Sequence, residues 1–119
     1  MLKHWVQKFA NAVRGIVIGI RGQSSFHVHL PAAILVLALA AWLQLDWVQV
    51  SILLVCVSVV LMAELFNSCI ETLAQAITSE TNAAIKDALD IASGAVLTVS
   101  LGAASVGALV FGQALLAMP

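Results

Sequence analysis

The sequence predicts an all-α integral membrane protein: an amphipathic N-terminal surface helix and three transmembrane helices in one domain, residues 1–119. Three observations carry this reading. Apolar residues make up 62% of the chain and charged residues 9%, a balance foreign to soluble domains. The mean hydropathy is +1.08, and so short a chain buries little surface alone, so lipid or neighbouring subunits must cover it. Lys3, Lys8, Arg14 and Arg21 all precede the first acidic residue, Asp46, whereas only Lys86 follows it.

The surface helix covers residues 1–22. Leu2, Trp5, Val6, Phe9, Val13, Ile16, Val17 and Ile20 recur on one helical face, opposite Lys3, Gln7, Asn11 and Arg14. Basic residues on the polar face and Trp and Phe on the apolar face suit the headgroup plane; packing against a soluble partner is the alternative. The segment has neither the compact apolar run nor the cleavage site of a secretory signal. Gly22-Gln23-Ser24-Ser25 breaks the pattern.

The first span is expected over 27–45, with Pro31 in the first helical turn and Phe26 to His29 extending it into the interface. Asp46 marks a tight connection between the interfacial anchors Trp42 and Trp47. The second span covers 47–77: Trp47 to Met62 carry no charge, and the helical pattern continues through Glu64 and Glu71 as a protruding end. A polar loop is expected over 78–87 and the third span over 88–118. That span is rich in small residues, with pairs such as Ala103 and Gly107 suited to close helix packing. The positive-inside rule then puts the N-terminus in the cytoplasm and the C-terminus outside, with Glu64 to Asp90 at the cytoplasmic face. Cys56 and Cys69 lie thirteen residues apart on one helix, about 20 Å at 1.5 Å per residue, so they are packing residues and not a disulfide.

Glu64, Asn67, Ser68, Glu71 and Gln75 fall on one face of the second span, near the membrane boundary. A charge there is costly unless paired or hydrated, which makes Glu64 a functional candidate; an interfacial glutamate reaching water is the bland alternative. Asp90 either joins this cluster or complements the dipole of the last helix. Asp87 reads as a solvated charge. Lys86 is either a juxtamembrane anchor or the one cation near an acidic site. His4, His27 and His29 lack the clustering of a zinc site, and the absence of a Gly-rich loop followed by Lys and Ser or Thr excludes a P-loop nucleotidase. No nucleic-acid partner is expected.

Glu64-Leu65-Phe66-Asn67-Ser68-Cys69-Ile70-Glu71 resembles the Glu-x-x-Asn-(Ser/Thr)-(Ala/Cys)-Ile-Glu signature of the prokaryotic diacylglycerol kinase and undecaprenol kinase family. Asp90 to Leu97 is similar to that family's second signature, and Phe9-x-Asn11-Ala12-x-x-Gly15 and Phe26 match its N-terminal region. The resemblance implies a homotrimeric kinase of the bacterial inner membrane that moves the γ-phosphoryl group of ATP, with Mg2+, onto a lipid hydroxyl. On matching positions it implies Glu64 as general base, Glu71 and Gln23 as metal ligands, and Asn67, Asp90, Lys86 and Arg14 around the nucleotide. Ser68, Gln75 and Phe26 would support the site or the lipid.

Four positions depart from the pattern. Gln23 stands for a metal-binding carboxylate, His27 for an arginine and Gln75 for an aspartate, while Leu89 replaces a lysine expected on phosphate. An apolar side chain cannot substitute for a charge on phosphate. Either another cation acts, Lys86 being the obvious one, or the chain is a catalytically degenerate, lipid-binding or scaffolding trimer. An ion pathway fits less well, because Val50 to Met62 offers only Ser51 and Ser58 as polar side chains.

Overall fold

The computed structural model describes residues 1–22, 25–77 and 79–119. The described residues form four helices and no strand: α1 (Leu2–Arg21), α2 (Phe26–Trp42), α3 (Trp47–Ile77) and α4 (Ala83–Leu116). The axis of the molecule is α3, against which α4 packs most extensively and α2 and α1 also pack. At 31 and 34 residues, α3 and α4 are long and apolar enough to cross a membrane. Each exceeds the ~30 Å hydrocarbon thickness at 1.5 Å per residue. Ile52, Val55, Leu97, Leu101 and Leu109 on these helices stay exposed, a surface stable against lipid or neighbouring chains and costly in water.

Within the chain α1 buries only Gly19. Its Trp5, Phe9 and Val13 remain exposed, so the rest of the chain does not cover its apolar face. On the opposite face Gln7 donates to Asn11 at 2.9 Å. The helix ends at Gly22, whose N–H reaches the Ile18 carbonyl at 3.0 Å.

In α2, Phe26, His29, Ala33, Val36 and Ala40 recur at helical spacing, and all are buried or half-buried. The helix starts early enough that Pro31 is its sixth residue, one turn deeper than the sequence suggested. Pro31 has no N–H to give the His27 carbonyl. The helix also stops at Trp42, three residues short of Leu45, because Gln44 adopts a left-handed φ of 53° and turns the chain toward α3.

Asp46 and Gln49 open α3 with a reciprocal cap: Gln49 N–H donates to Asp46 Oδ1 at 2.8 Å, and Asp46 N–H donates to Gln49 Oε1 at 3.2 Å. Beneath this turn Ala40, Leu53 and Val110 form the buried core, with Val36, Val106 and Phe111 packed around them. Inside the spans Ser51, Ser58, Thr98 and Ser105 return their hydroxyls to the carbonyl four residues back, which satisfies them without a partner helix.

The loop expected over 78–87 is shorter than predicted. Asn82 is extended, and its side chain accepts from the Ala84 and Ile85 N–H groups, an N-cap that starts α4 at Ala83 and makes Ala83 to Asp87 helical. The small residues of α4 also differ from a packing seam within the chain: a Cβ added to Gly94, Gly102, Gly107 or Gly112 meets nothing within 4 Å. The close approach occurs at Gly19, where an added Cβ would lie 2.6 Å from Leu65 Cδ2.

Candidate functional site

Glu64 sits where α3 leaves the apolar stretch, facing the start of α2. It is 1% exposed, the most completely enclosed charged side chain among the described residues. Ser25 Oγ donates to its Oε2 at 2.6 Å, and His29 Nδ1 lies 2.5 Å from its Oε1. Both carboxylate oxygens therefore have a partner, which is what lets a carboxylate persist at this depth. Phe26, buried at 3%, stands between these two partners in the chain.

One turn further along α3, Asn67 Nδ2 donates to Glu71 Oε1 at 3.0 Å. Asn67 Oδ1 is buried without a hydrogen-bond partner. Ser68, also buried, reaches the Gly19 carbonyl at 3.4 Å, made possible by the missing side chain at Gly19. Thus Glu64, Asn67 and Ser68 share a buried face. Glu71 is half-buried and Gln75 exposed.

Two clefts meet at Glu71 and Gln75. One, about 680 Å³, lies between α1 and α3 and includes Gly15, Gly19, Ser68 and Thr72 in its walls. The other, about 430 Å³, lies between the ends of α3 and α4 and includes Asn82, Lys86 and Leu89. Lys86 Nζ pairs with Asp90 Oδ2 at 2.7 Å, one helical turn apart and well exposed. The hydrogen bond from Lys86 to Asp90 and the charge of that carboxylate hold the lysine above its ordinary pKa. An exposed i,i+4 pair of this kind is weak and easily opened by a polyanion.

The predicted residues thus separate into groups. Glu64, Asn67 and Ser68 share the buried face of α3, and Phe26 is buried at the start of α2; Glu71, Gln75 and Lys86 line the outer cleft, with Asp90 joined to it through Lys86. Arg14 is exposed on α1 and is not among the residues lining either cleft. Gln23, the second expected metal ligand, lies outside the described residues. Ser25 and His29 are contacts that the sequence motifs missed. The available signal was the α2 stripe from Phe26 through Ala40, which puts His29 on the face turned to α3.

The described residues contain no group of three or more His, Cys, Asp and Glu side chains arranged to hold a metal ion.

Four helices, two of them long apolar spans, with a buried carboxylate at their boundary define a helical membrane protein. Residues 10–111 match the family model described as Prokaryotic diacylglycerol kinase, and the chain belongs to this family of lipid kinases. A search among curated proteins gave no significant match.

Proposed function

We propose that the chain transfers the γ-phosphoryl group of ATP to the hydroxyl of a membrane lipid, diacylglycerol or undecaprenol, at the cytoplasmic face of the bacterial inner membrane. It works as a homotrimer, with α2 as the third span, the N-terminus inside and the C-terminus outside. The observation that carries this reading is Glu64, a carboxylate held with two hydrogen-bond partners where α3 emerges from its apolar stretch. A lipid hydroxyl is a poor nucleophile at neutral pH, and a positioned carboxylate that draws its proton makes the attack on phosphorus feasible.

Magnesium fits the residues beyond Glu64. It favours one or two carboxylates supplemented by phosphate and water oxygens, and the half-buried Glu71 carboxylate, which accepts from Asn67 Nδ2, offers one such donor. Held by Glu71, with Gln23 as a further ligand and Asn67 orienting the Glu71 carboxylate, the ion would neutralise charge on the phosphates. Lys86 leaves Asp90 to meet the triphosphate, taking the place of the lysine missing at Leu89, while Asp90 gives polar support to the nucleotide; Arg14, outside the walls of both clefts, would reach it only from a neighbouring subunit. Ser68 and Phe26 hold the walls around Glu64, and Gln75 borders the outer cleft. The empty space around the α4 glycines gives neighbouring subunits a surface to approach closely.

Purified protein in mixed micelles with labelled ATP and a panel of lipid alcohols tests the reading. Thin-layer separation is expected to show transfer to at least one of them. Glu64→Gln should lower the turnover by about 10²–10⁴-fold, the usual contribution of a general base. Absence of transfer to every lipid alcohol would leave the chain a non-catalytic member of its family.

A further inference from the structure

We propose that α1 is a docking surface for anionic phospholipid: its basic residues hold the charged headgroups of the leaflet into which its apolar face sinks. This goes beyond the kinase reading and does not depend on phosphoryl transfer. Leu2, Trp5, Phe9 and Val13 of the apolar face are all exposed, and a helix of this kind lies in the headgroup plane with its apolar side at the acyl boundary. The attachment of α1 to the chain sets the same depth. Gly19 meets α3 at Leu65 and Ser68, directly after Glu64, where α3 leaves its apolar stretch.

The charge of α1 selects the lipid. Lys3, Lys8, Arg14 and Arg21 are exposed, none forms an ion pair among the described residues, and no Asp or Glu precedes Asp46. Arg14 follows Lys3 by eleven residues and Arg21 follows Arg14 by seven, close to three turns and two turns at ~3.6 residues per turn. These three therefore form one ridge beside Val6 and Val17, along the edge of the apolar face and on the side of α1 away from Gly19. Lys8 marks the other edge, with its Nζ 5.3 Å from the centre of the Trp5 ring.

Cations bordering an apolar face on both edges match a plane of phosphates above acyl chains. A zwitterionic headgroup brings its own ammonium to compete for that phosphate, whereas a net anionic headgroup leaves the phosphate to the protein. An acidic soluble protein could match the ridge, but the α1–α3 contact holds the apolar face at headgroup depth, where lipid is the neighbour. Gly15 and Gly19 also wall the α1–α3 cleft, so lipid that holds α1 in place holds that wall as well.

The test reads lipid contact at Trp5 in full-length protein reconstituted in phosphatidylcholine vesicles. Brominated phosphatidylglycerol or brominated phosphatidylcholine is added at equal mole fraction, and the quenching seen in Trp5→Phe is subtracted from that of wild type. The relative affinity at Trp5 is expected to favour phosphatidylglycerol by at least about fivefold, which is what one basic residue near an anionic surface supplies. That preference should vanish in about 1 M NaCl, where the Debye length is ~3 Å, and in Lys3→Gln/Lys8→Gln/Arg21→Gln. Trp42 and Trp47, which remain in Trp5→Phe and sit at the other end of α2, should show no preference. Equal quenching of Trp5 by the two lipids overturns the proposal, as does a preference that survives high salt or is equally strong at Trp42 and Trp47. Quenching of Trp5 by neither lipid overturns it in favour of a soluble partner. The salt comparison needs only wild type and Trp5→Phe, so it decides the matter even where the triple variant does not fold. None of these outcomes touches the kinase reading, which stands or falls on transfer to a lipid alcohol.

Discussion

Gly19 shows how one atom governs the attachment of the surface helix. Its missing side chain lets the α1 backbone approach α3, where Ser68 reaches its carbonyl and Leu65 occupies the space a Cβ would take. Gly19→Leu introduces a good helix former, so any loss of stability comes from packing and not from propensity. It should destabilise the protein by about 1–3 kcal/mol, the usual cost of overfilling a packed contact. Leu65→Ala opens the same space, and the double variant should be clearly more stable than the sum of the two single losses predicts. Thermal unfolding in detergent measures the cycle, and simple additivity would show that this contact does not hold α1 in place. Glu64 makes a related point about what sequence exposes. Its depth was legible because Trp47 to Met62 carry no charge, and its neighbours Asn67 and Glu71 follow at helical spacing on its own helix. Ser25 and His29 approach from across the α2–α3 turn, and periodicity within one helix does not carry a contact between two.

The helices differ in how firmly their ends are written. Asn82 fixes the start of α4 by accepting from two orphan N–H groups, and that start sets the helical register that makes Lys86 and Asp90 a pair. Asn82→Ala should cost about 1 kcal/mol of local stability. Amide exchange at Ala84, Ile85 and Lys86 should accelerate while exchange at the centre of α4 stays slow, and Asn82→Asp should retain protection. Unchanged exchange in Asn82→Ala would mean that the cap is not what begins the helix. The limits of α3 were legible from its apolar run and the polar residues beyond it. The first turns of α4 were not, since Thr81 to Asp87 reads as polar loop unless the side chain of Asn82 is recognised as a cap. Nor was the end of α2: the left-handed turn at Gln44 uses a residue without the usual preference for that conformation.

At the scale of the whole molecule, the number of spans decides where the chemistry lies. The lengths of α3 and α4 make them spans on their own, whereas the 17 residues of α2 reach about 26 Å at 1.5 Å per residue, slightly under the ~30 Å hydrocarbon core. Two spans would return the C-terminus to the side of the N-terminus; three carry it across. Several features favour three. No Asp, Glu, Lys or Arg occurs in α2, and Trp42 and Trp47 are exposed at its far end, where interfacial aromatics anchor a helix. The short deficit can be met by the turn at Leu43 to Asp46 and by local thinning of the bilayer. In the orientation proposed above, with the four basic residues ahead of α2 on the cytoplasmic side, α2 crosses before α3 brings Glu64 and Glu71 back to the face where ATP is available. Alkaline phosphatase fused after Pro119 should therefore be active and a fluorescent protein at the same point dark. After Glu80, between α3 and α4, the two reporters should give the opposite result. An inactive phosphatase with a bright fluorescent protein after Pro119 would remove α2 from the spans and, with it, the cytoplasmic placement of the site.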